Sequence, residues 1–286
     1  MKIKVLQKGF NFSQDGPGNR LVYHLQGCCF KCPWCSNPES IPINGALITG
    51  DSINFDCPYG AAASGTLDRS ICQNCTAKEC LSCHSSGIKL SCSEHDTSEL
   101  LDEALRSSLM FFDGGGVTFT GGEATMQFDA LKELMVALHE KGISVALETN
   151  GSASRLPELF PYIDFLMFDC KHYDSEKHRQ VLGADNSAVK ENLRLASHNR
   201  NQLLVRIPLV NGFNSSEEDA LGFAEMFKNY CTDFCEYELL RYHEYGKDKW
   251  KSCGMEYKME NGFVSDESFK KFVHIFRDNG FKLVNT

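Results

Sequence analysis

No stretch of this 286-residue chain stays apolar for the roughly 18 residues that a membrane-spanning helix needs. Its first residues, MKIKVLQKGFNFSQDG, lack the apolar core and small-residue cleavage site of a secretory leader, so a cytosolic (cytoplasmic) protein is expected. Basic charge is also short. Lys and Arg number 29 against 38 Asp and Glu, and the net charge of −9 disfavours a phosphate-backbone partner. Neither nucleic acid nor membrane is expected to be bound. The charge is dispersed, with no acidic or basic tail. Tryptophan is scarce: Trp34 and Trp250 are the only two.

Cysteine is in excess. Of the 14, ten lie from Cys28 to Cys92, and the others are Cys170, Cys231, Cys235 and Cys253. A disulfide framework suits short secreted chains rather than a long cytosolic one, so clustered thiols point to metal. Oxygen would endanger so many free thiols, which favours an anaerobic setting.

From residue 95 onward, strand and helix patterns alternate. Strands are expected at GGVTFTGG, SVALETN, FLMFDCK, LLVRIPLV, CEYELLRYH and FKLVN, and earlier at LVYHLQG. Amphipathic helices are expected at DTSELLDEALRSS, with Leu100, Ala104 and Leu105 on one face, and at DALKELMVALHEKG, ending at Gly142. Others are SAVKENLRLASH, SSEEDALGFAEMFKNY with a Ser215–Glu218 capping box, and DESFKKFVHIFRDNG. This alternation predicts an α/β fold with a parallel sheet of seven strands, one short of a full eight-stranded barrel. Chemistry in such folds gathers at the carboxyl ends of the strands. Residues 41–92 break the rhythm. They hold six cysteines and little apolar periodicity, and they need metal for stability. The expected organisation is a main domain of residues 1–40 and 93–286 with a cysteine-rich insertion at 41–92.

Cys28, Cys32 and Cys35 are spaced C-x3-C-x2-C. Soft thiolates suit iron–sulfur clusters, and three ligands on a [4Fe–4S] cube leave one iron open to a chelating ligand. A structural zinc knuckle would prefer paired C-x2-C units and four closed ligands. Cys29 falls out of register.

With DGPGNR at 15–20, QGC at 26–28, WCSNPE at 34–39, TGGEATMQ at 120–127, ETNG at 148–151, MFDCK at 167–171 and LLRYHEYGKDKW at 239–250, the chain resembles the glycyl-radical-enzyme activating enzymes, a branch of the radical S-adenosylmethionine (SAM) superfamily. Pyruvate formate-lyase activating enzyme is the best-known member. The resemblance implies a partial (β/α)6 TIM-like barrel with SAM across its mouth. It implies that Cys28, Cys32 and Cys35 hold the SAM cluster. Cofactor contacts would come from Trp34, Ser36, Gly121, Gly122, Glu123, Asp169, Lys171 and His243. Gly121 and Gly122 let backbone approach a ligand closely, and Glu123 could accept from the SAM ammonium. Glu148, Thr149, Met167 and Asp169 map to a monovalent-cation site, with glutamate at 148 where the best-known member has aspartate. Ser36 stands for a common histidine and Arg241 for a common proline. Asp15, Gly16, Pro17 and Gly18 map to the edge that receives the substrate glycine loop. Partners would be a glycyl radical enzyme, with flavodoxin or ferredoxin as electron donor.

The insertion resembles a ferredoxin-like unit with missing ligands. CPYGAA at Cys57 looks like the end of a first cysteine run, and CQNCTAKECLSCHSS like a second, with His84 where proline is usual. In two-cluster ferredoxins the fourth cysteine of each run serves the other cluster. On that rule Cys57, Cys72, Cys75 and Cys80 bind one auxiliary [4Fe–4S] cluster and Cys83 is stranded. The rival is a local site with Cys83 as fourth ligand, whose spacing also suits zinc. Three functions follow: an activase acting on a glycine Cα, a radical SAM enzyme acting on a small molecule, or a non-enzymatic electron-transfer or zinc scaffold. DGPG and YHEYGKDKW favour the first.

Overall fold

The computed structural model describes residues 1–10, 14–63, 65–72, 75, 77–83, 86–199, 202–232 and 234–285. In chain order the elements begin with β1 (Lys2–Gly9) and β2 (Arg20–Leu25). Then come the short β3 (Leu47–Thr49), β4 (Ala62–Ala63), β5 (Thr66–Leu67), α1 (Arg69–Cys72) and β6 (Ile88–Leu90). The rest are β7 (Ser93–Asp96), α2 (Thr97–Arg106), β8 (Gly116–Gly121), α3 (Phe128–Glu140), β9 (Val145–Thr149), β10 (Phe165–Asp169), α4 (Ser175–Leu182), α5 (Ser187–Ser197), β11 (Gln202–Leu209), α6 (Glu217–Tyr230), β12 (Glu236–Arg241), α7 (Lys247–Ser252), α8 (Asp266–Asp278) and β13 (Lys282–Leu283).

One nine-stranded sheet, ordered β13-β12-β11-β10-β9-β8-β2-β1-β7, carries the fold. From β2 through β8 to β13 every pairing is parallel. These are the seven expected strands, and their spatial order follows the chain without reversal. A doubly wound sheet would reverse at a switch point; an unreversed order is that of a barrel, here left open. Two strands of this sheet were not expected. β1 pairs antiparallel with β2, and β7 antiparallel with β1, extending the sheet at one edge.

Strand alternation sorts the residues. Val117, Phe119, Val145, Leu147, Leu166, Phe168, Val205 and Ile207 join the large core with helix residues such as Leu131, Leu134, Leu138, Phe223 and Phe227. On the other face Ala146, Met167 and Leu204 form a separate small cluster, and polar side chains follow them toward the carboxyl ends. Helix α3 ends as expected, with Gly142 at φ +69°. Two local expectations are corrected. The capping box of α6 is Ser216–Asp219, one residue later than Ser215–Glu218, because the helix starts at Glu217. On α2, Leu100 and Ala104 are buried but Leu105 is exposed. Among the described residues of 47–90 the regular structure is the short helix α1 and two small two-stranded sheets, β3 with β6 and β4 with β5. His84 lies outside the described residues.

Candidate active site

A cavity of about 370 Å³ opens at the carboxyl ends of the parallel strands. That is ample for a small-molecule ligand. Cys28, Cys32 and Cys35, on the loop after β2, all line it, with Trp34 and Ser36. Gly121 at the end of β8 and Gly122 just after it, Asp169 and Lys171 at the end of β10, and His243 beyond β12 line it too. Distant parts of the chain thus meet where strand polarity brings them together.

The cysteine loop is held from several sides. Gly27 and Cys28 donate backbone hydrogen bonds to the carbonyls of Ser40 and Ile41 at 2.7 and 3.0 Å. Trp250 Nε1 donates to the Cys35 carbonyl at 2.9 Å. Lys249 Nζ reaches Asn37 Oδ1 at 2.7 Å and Glu39 Oε1 at 3.0 Å. A methyl group on Gly246 would lie 2.6 Å from the Cys35 carbonyl oxygen, so any side chain just before α7 would have to displace the loop. Trp34 packs on Phe213 with ring centroids 4.9 Å apart. Cys29 turns to Ser152, Sγ to Oγ 3.1 Å, and does not line the cavity.

Burial pushes the Cys32 thiol up to about 12 and raises Cys35 as well. Cys28 is raised by its hydrogen bond to Cys29 and by burial. Burial thus favours the protonated thiols wherever no metal or cation offsets it. Among the described residues no three His, Cys, Asp or Glu side chains are already drawn together closely enough to hold a metal ion. The donor chemistry fits an iron–sulfur cluster all the same: three soft sulfurs face one cavity, with room beside them for a chelating ligand. Lys171 Nζ pairs with Asp169 Oδ2 at 2.8 Å. Burial opposes the charge on Lys171, but Asp169 and the nearby thiols outweigh it and raise its pKa. His243 is lowered by burial and stacks on Tyr245 at 4.2 Å.

Several expected contacts sit differently. Glu123 does not line the cavity and is 1% exposed. One carboxylate oxygen accepts from Thr125 N, Thr125 Oγ1 and Thr149 Oγ1 at 3.1, 2.5 and 2.8 Å, and the other from Asn150 N at 2.7 Å. Four protein donors thus hold both oxygens of this carboxylate. Gly121 (φ +120°) and Gly122 do line the cavity, but the backbone they approach is the chain's own. Added methyl groups would come within 2.3 Å of Leu25 N and Gly27 O respectively. Of Asp15–Gly18, only Asp15 reaches the cavity. Gly16 packs beside Arg20 and Ala146, while Gly18 (φ +73°) abuts backbone of Phe112, Asp113 and Gly115. Pro17 faces a second hollow at the amino ends of the strands, beside Gly114, Ser144 and Asp164. The loop is tethered by Thr118 Oγ1, which donates to the Asp15 carbonyl at 2.6 Å.

Sequence reasoning missed a charged row on the inner face. Register aligns Asp169 with Arg206 and Arg206 with Glu238 on β10, β11 and β12. Arg206, 3% exposed, donates to Glu148 Oε1 and Glu238 Oε2, each at 2.9 Å. The available signal was a lone arginine inside the apolar run LLVRIPLV. His24 of β2 also lines the cavity, and burial lowers it to about 4.

Within residues 41–92, Cys57, Cys72, Cys75 and Cys80 line one hollow with Leu47, Phe55 and Ile88, and Cys83 does not line it. Burial works against the Cys57 thiolate, but the N–H groups of Tyr59, Ala61 and Ala62 outweigh it and lower the thiol's pKa. Lys78 N donates to Cys75 Sγ at 3.4 Å.

Among the described residues no helix is long and apolar enough to cross a membrane. Residues 70–224 match the radical SAM superfamily model, a span that starts after the Cys28–Cys35 loop. The chain is 34% identical to the 4-hydroxyphenylacetate decarboxylase activating enzyme of Clostridioides difficile (strain CD196), over 93% of this chain and 90% of that one. It is 32% identical to the choline trimethylamine-lyase activating enzyme of Oleidesulfovibrio alaskensis, over 90% and 89%. The fold also matches QueE from Escherichia coli, with a TM-score of 0.53, 14% identity, and 99% of this chain and 93% of that one covered. With the cysteine loop and cavity of the site, these matches establish that the chain belongs to the radical SAM superfamily, among its glycyl-radical-enzyme activating enzymes.

Proposed function

We propose that this activase holds its SAM cluster on Cys28, Cys32 and Cys35, and receives the glycine loop of a partner glycyl radical enzyme past Asp15. One observation carries the reading: a single cavity joins the three thiols to Asp15. When bound, cluster and SAM supply one-electron cleavage of the sulfonium C–S bond and a 5′-deoxyadenosyl radical that takes a glycine Cα hydrogen. The chain's part is to bind, orient and exclude water. Lys171, kept charged by Asp169, offers an ammonium to an anionic ligand group. Neutral His243, Trp34 and Ser36 wall the cavity, and ionised Asp15 accepts from a substrate N–H. Reduced flavodoxin or ferredoxin is the proposed electron donor.

We assign residues 41–92 as a cluster-binding insertion with one auxiliary [4Fe–4S] site on Cys57, Cys72, Cys75 and Cys80. Their shared hollow and the N–H donors on Cys57 and Cys75 support that set, since hydrogen bonds to sulfur favour thiolate ligation. The core test is anaerobic reconstitution of the Cys28→Ala, Cys32→Ala and Cys35→Ala variants. Each should lose at least 100-fold in 5′-deoxyadenosine formation with dithionite (roughly 3 kcal/mol in barrier terms), and Cys29→Ala should not. The wild-type protein should raise an organic radical signal on the glycyl radical enzyme encoded beside it. Transformation of a small molecule, with no such signal, would overturn the protein-substrate assignment.

A further inference from the structure

The resemblance implies a monovalent cation among Glu148, Thr149, Met167 and Asp169, and the structure does not fit one. Glu148 Oε1 accepts from Arg206 Nη1 at 2.9 Å, and Glu148 Oε2 accepts from Thr120 Oγ1 at 2.5 Å. Asp169 Oδ2 is held by Lys171 Nζ at 2.8 Å. The Met167 side chain is wholly buried in an apolar cluster with Ala146 and Leu204. Arg206 cannot swing aside: Nε is bonded to Glu238 Oε2 at 2.9 Å and Nη2 to the Gln14 carbonyl at 2.5 Å. A potassium or sodium ion on Glu148 would therefore sit against a fixed, buried guanidinium and be repelled by it.

We infer that Arg206 is the built-in counter-ion of this site, and that the enzyme binds SAM without a monovalent metal cation. Glu148 makes this possible by its length. An aspartate carboxylate would stop roughly 1.5 Å short of the guanidinium, one C–C bond, and leave an anionic gap that an ion could fill. The inference rests on SAM binding alone and does not depend on the identity of the protein substrate.

The test measures the SAM dissociation constant of the anaerobically reconstituted enzyme in potassium, sodium and tetramethylammonium chloride at equal ionic strength. Wild type should bind within twofold in all three, and binding tenfold tighter in potassium than in tetramethylammonium would overturn the inference. Glu148→Asp should acquire at least a fivefold preference for potassium. If that variant binds SAM as tightly as wild type and stays indifferent to salt, the Arg206–Glu148 pair is not what replaces the ion and the inference fails. Arg206→Gln, checked first for a cooperative melt, should behave as Glu148→Asp does. If it does not fold, wild type and Glu148→Asp decide the question.

Discussion

Asp15 answers to two opposed influences. Burial and the nearby Glu148 carboxylate push its pKa up to about 7, and Arg206 only partly offsets them. The sign of the stability effect follows. A carboxyl raised in the folded state binds more protons there than in the unfolded chain between its ordinary value and about 7. Its favourable contribution is complete below the ordinary carboxylate range and fades as pH rises through 7. Asp15→Asn removes the titration, so its melting temperature should gain on wild type from pH 5 to pH 8. A difference that stays flat with pH would refute the assignment. The same residue should accept a substrate N–H more strongly once ionised, because the bond is then charge-assisted. Glycyl-radical formation should therefore rise with pH through about 7 in wild type and not in Asp15→Asn.

At the scale of elements, the cysteine loop depends on α7, about 215 residues further along the chain. Gly246 permits the approach, and Trp250 and Lys249 fasten it. Its φ of −85° suits any residue, so Gly246→Ala tests sterics alone. Displacing the Cys35–Ser36 backbone should cost roughly 1–3 kcal/mol, read as a lower melting temperature, with the iron on the SAM site reduced as well. Unchanged melting and iron content would mean the loop yields freely. The parallel strands were legible because each is a short apolar or β-branched run bounded by turn residues. β1 and β7 were not. KIKVLQKG buries fully only Ile3 and Val5, and SEHD has no apolar residue, so both are strands through pairing, a tertiary effect. The cysteine loop was legible by type and spacing, while Asp169 and Lys171 were singled out through the family resemblance. Arg206 and Glu238 were not, since only curvature of the sheet makes their face the inside of a barrel.

Across the whole molecule, the cysteine-rich segment 41–92 and the main sheet's loops are tied at the same place. Arg69 Nη2 of α1 and Thr49 Oγ1 of β3 both donate to the Ser252 carbonyl at the end of α7, at 2.8 and 3.2 Å. Cys72 belongs to the same short helix as Arg69, and Trp250 to the same helix as Ser252. One element thus fixes both cysteine groups. In a protein lacking all three cysteines of the SAM loop, iron and sulfide analysis should give about one [4Fe–4S] per chain. Cys57→Ala in that background should lose it and Cys83→Ala should keep it. Zinc without sulfide would reject an iron–sulfur insertion, and the reverse pattern would make Cys83 the fourth ligand.

The alternation that divides the two faces of the sheet also ties chemistry and core to a common reading frame. Along β11, Val205 and Ile207 face the helices while Leu204 and Arg206 face the barrel interior. Inserting or deleting one residue within the strand would exchange the two sets downstream, sending a guanidinium among phenylalanines and a valine into the cavity. Extra length is therefore tolerated only in the connections, and the long one between β2 and β7 leaves the frame of every strand that carries the site unchanged.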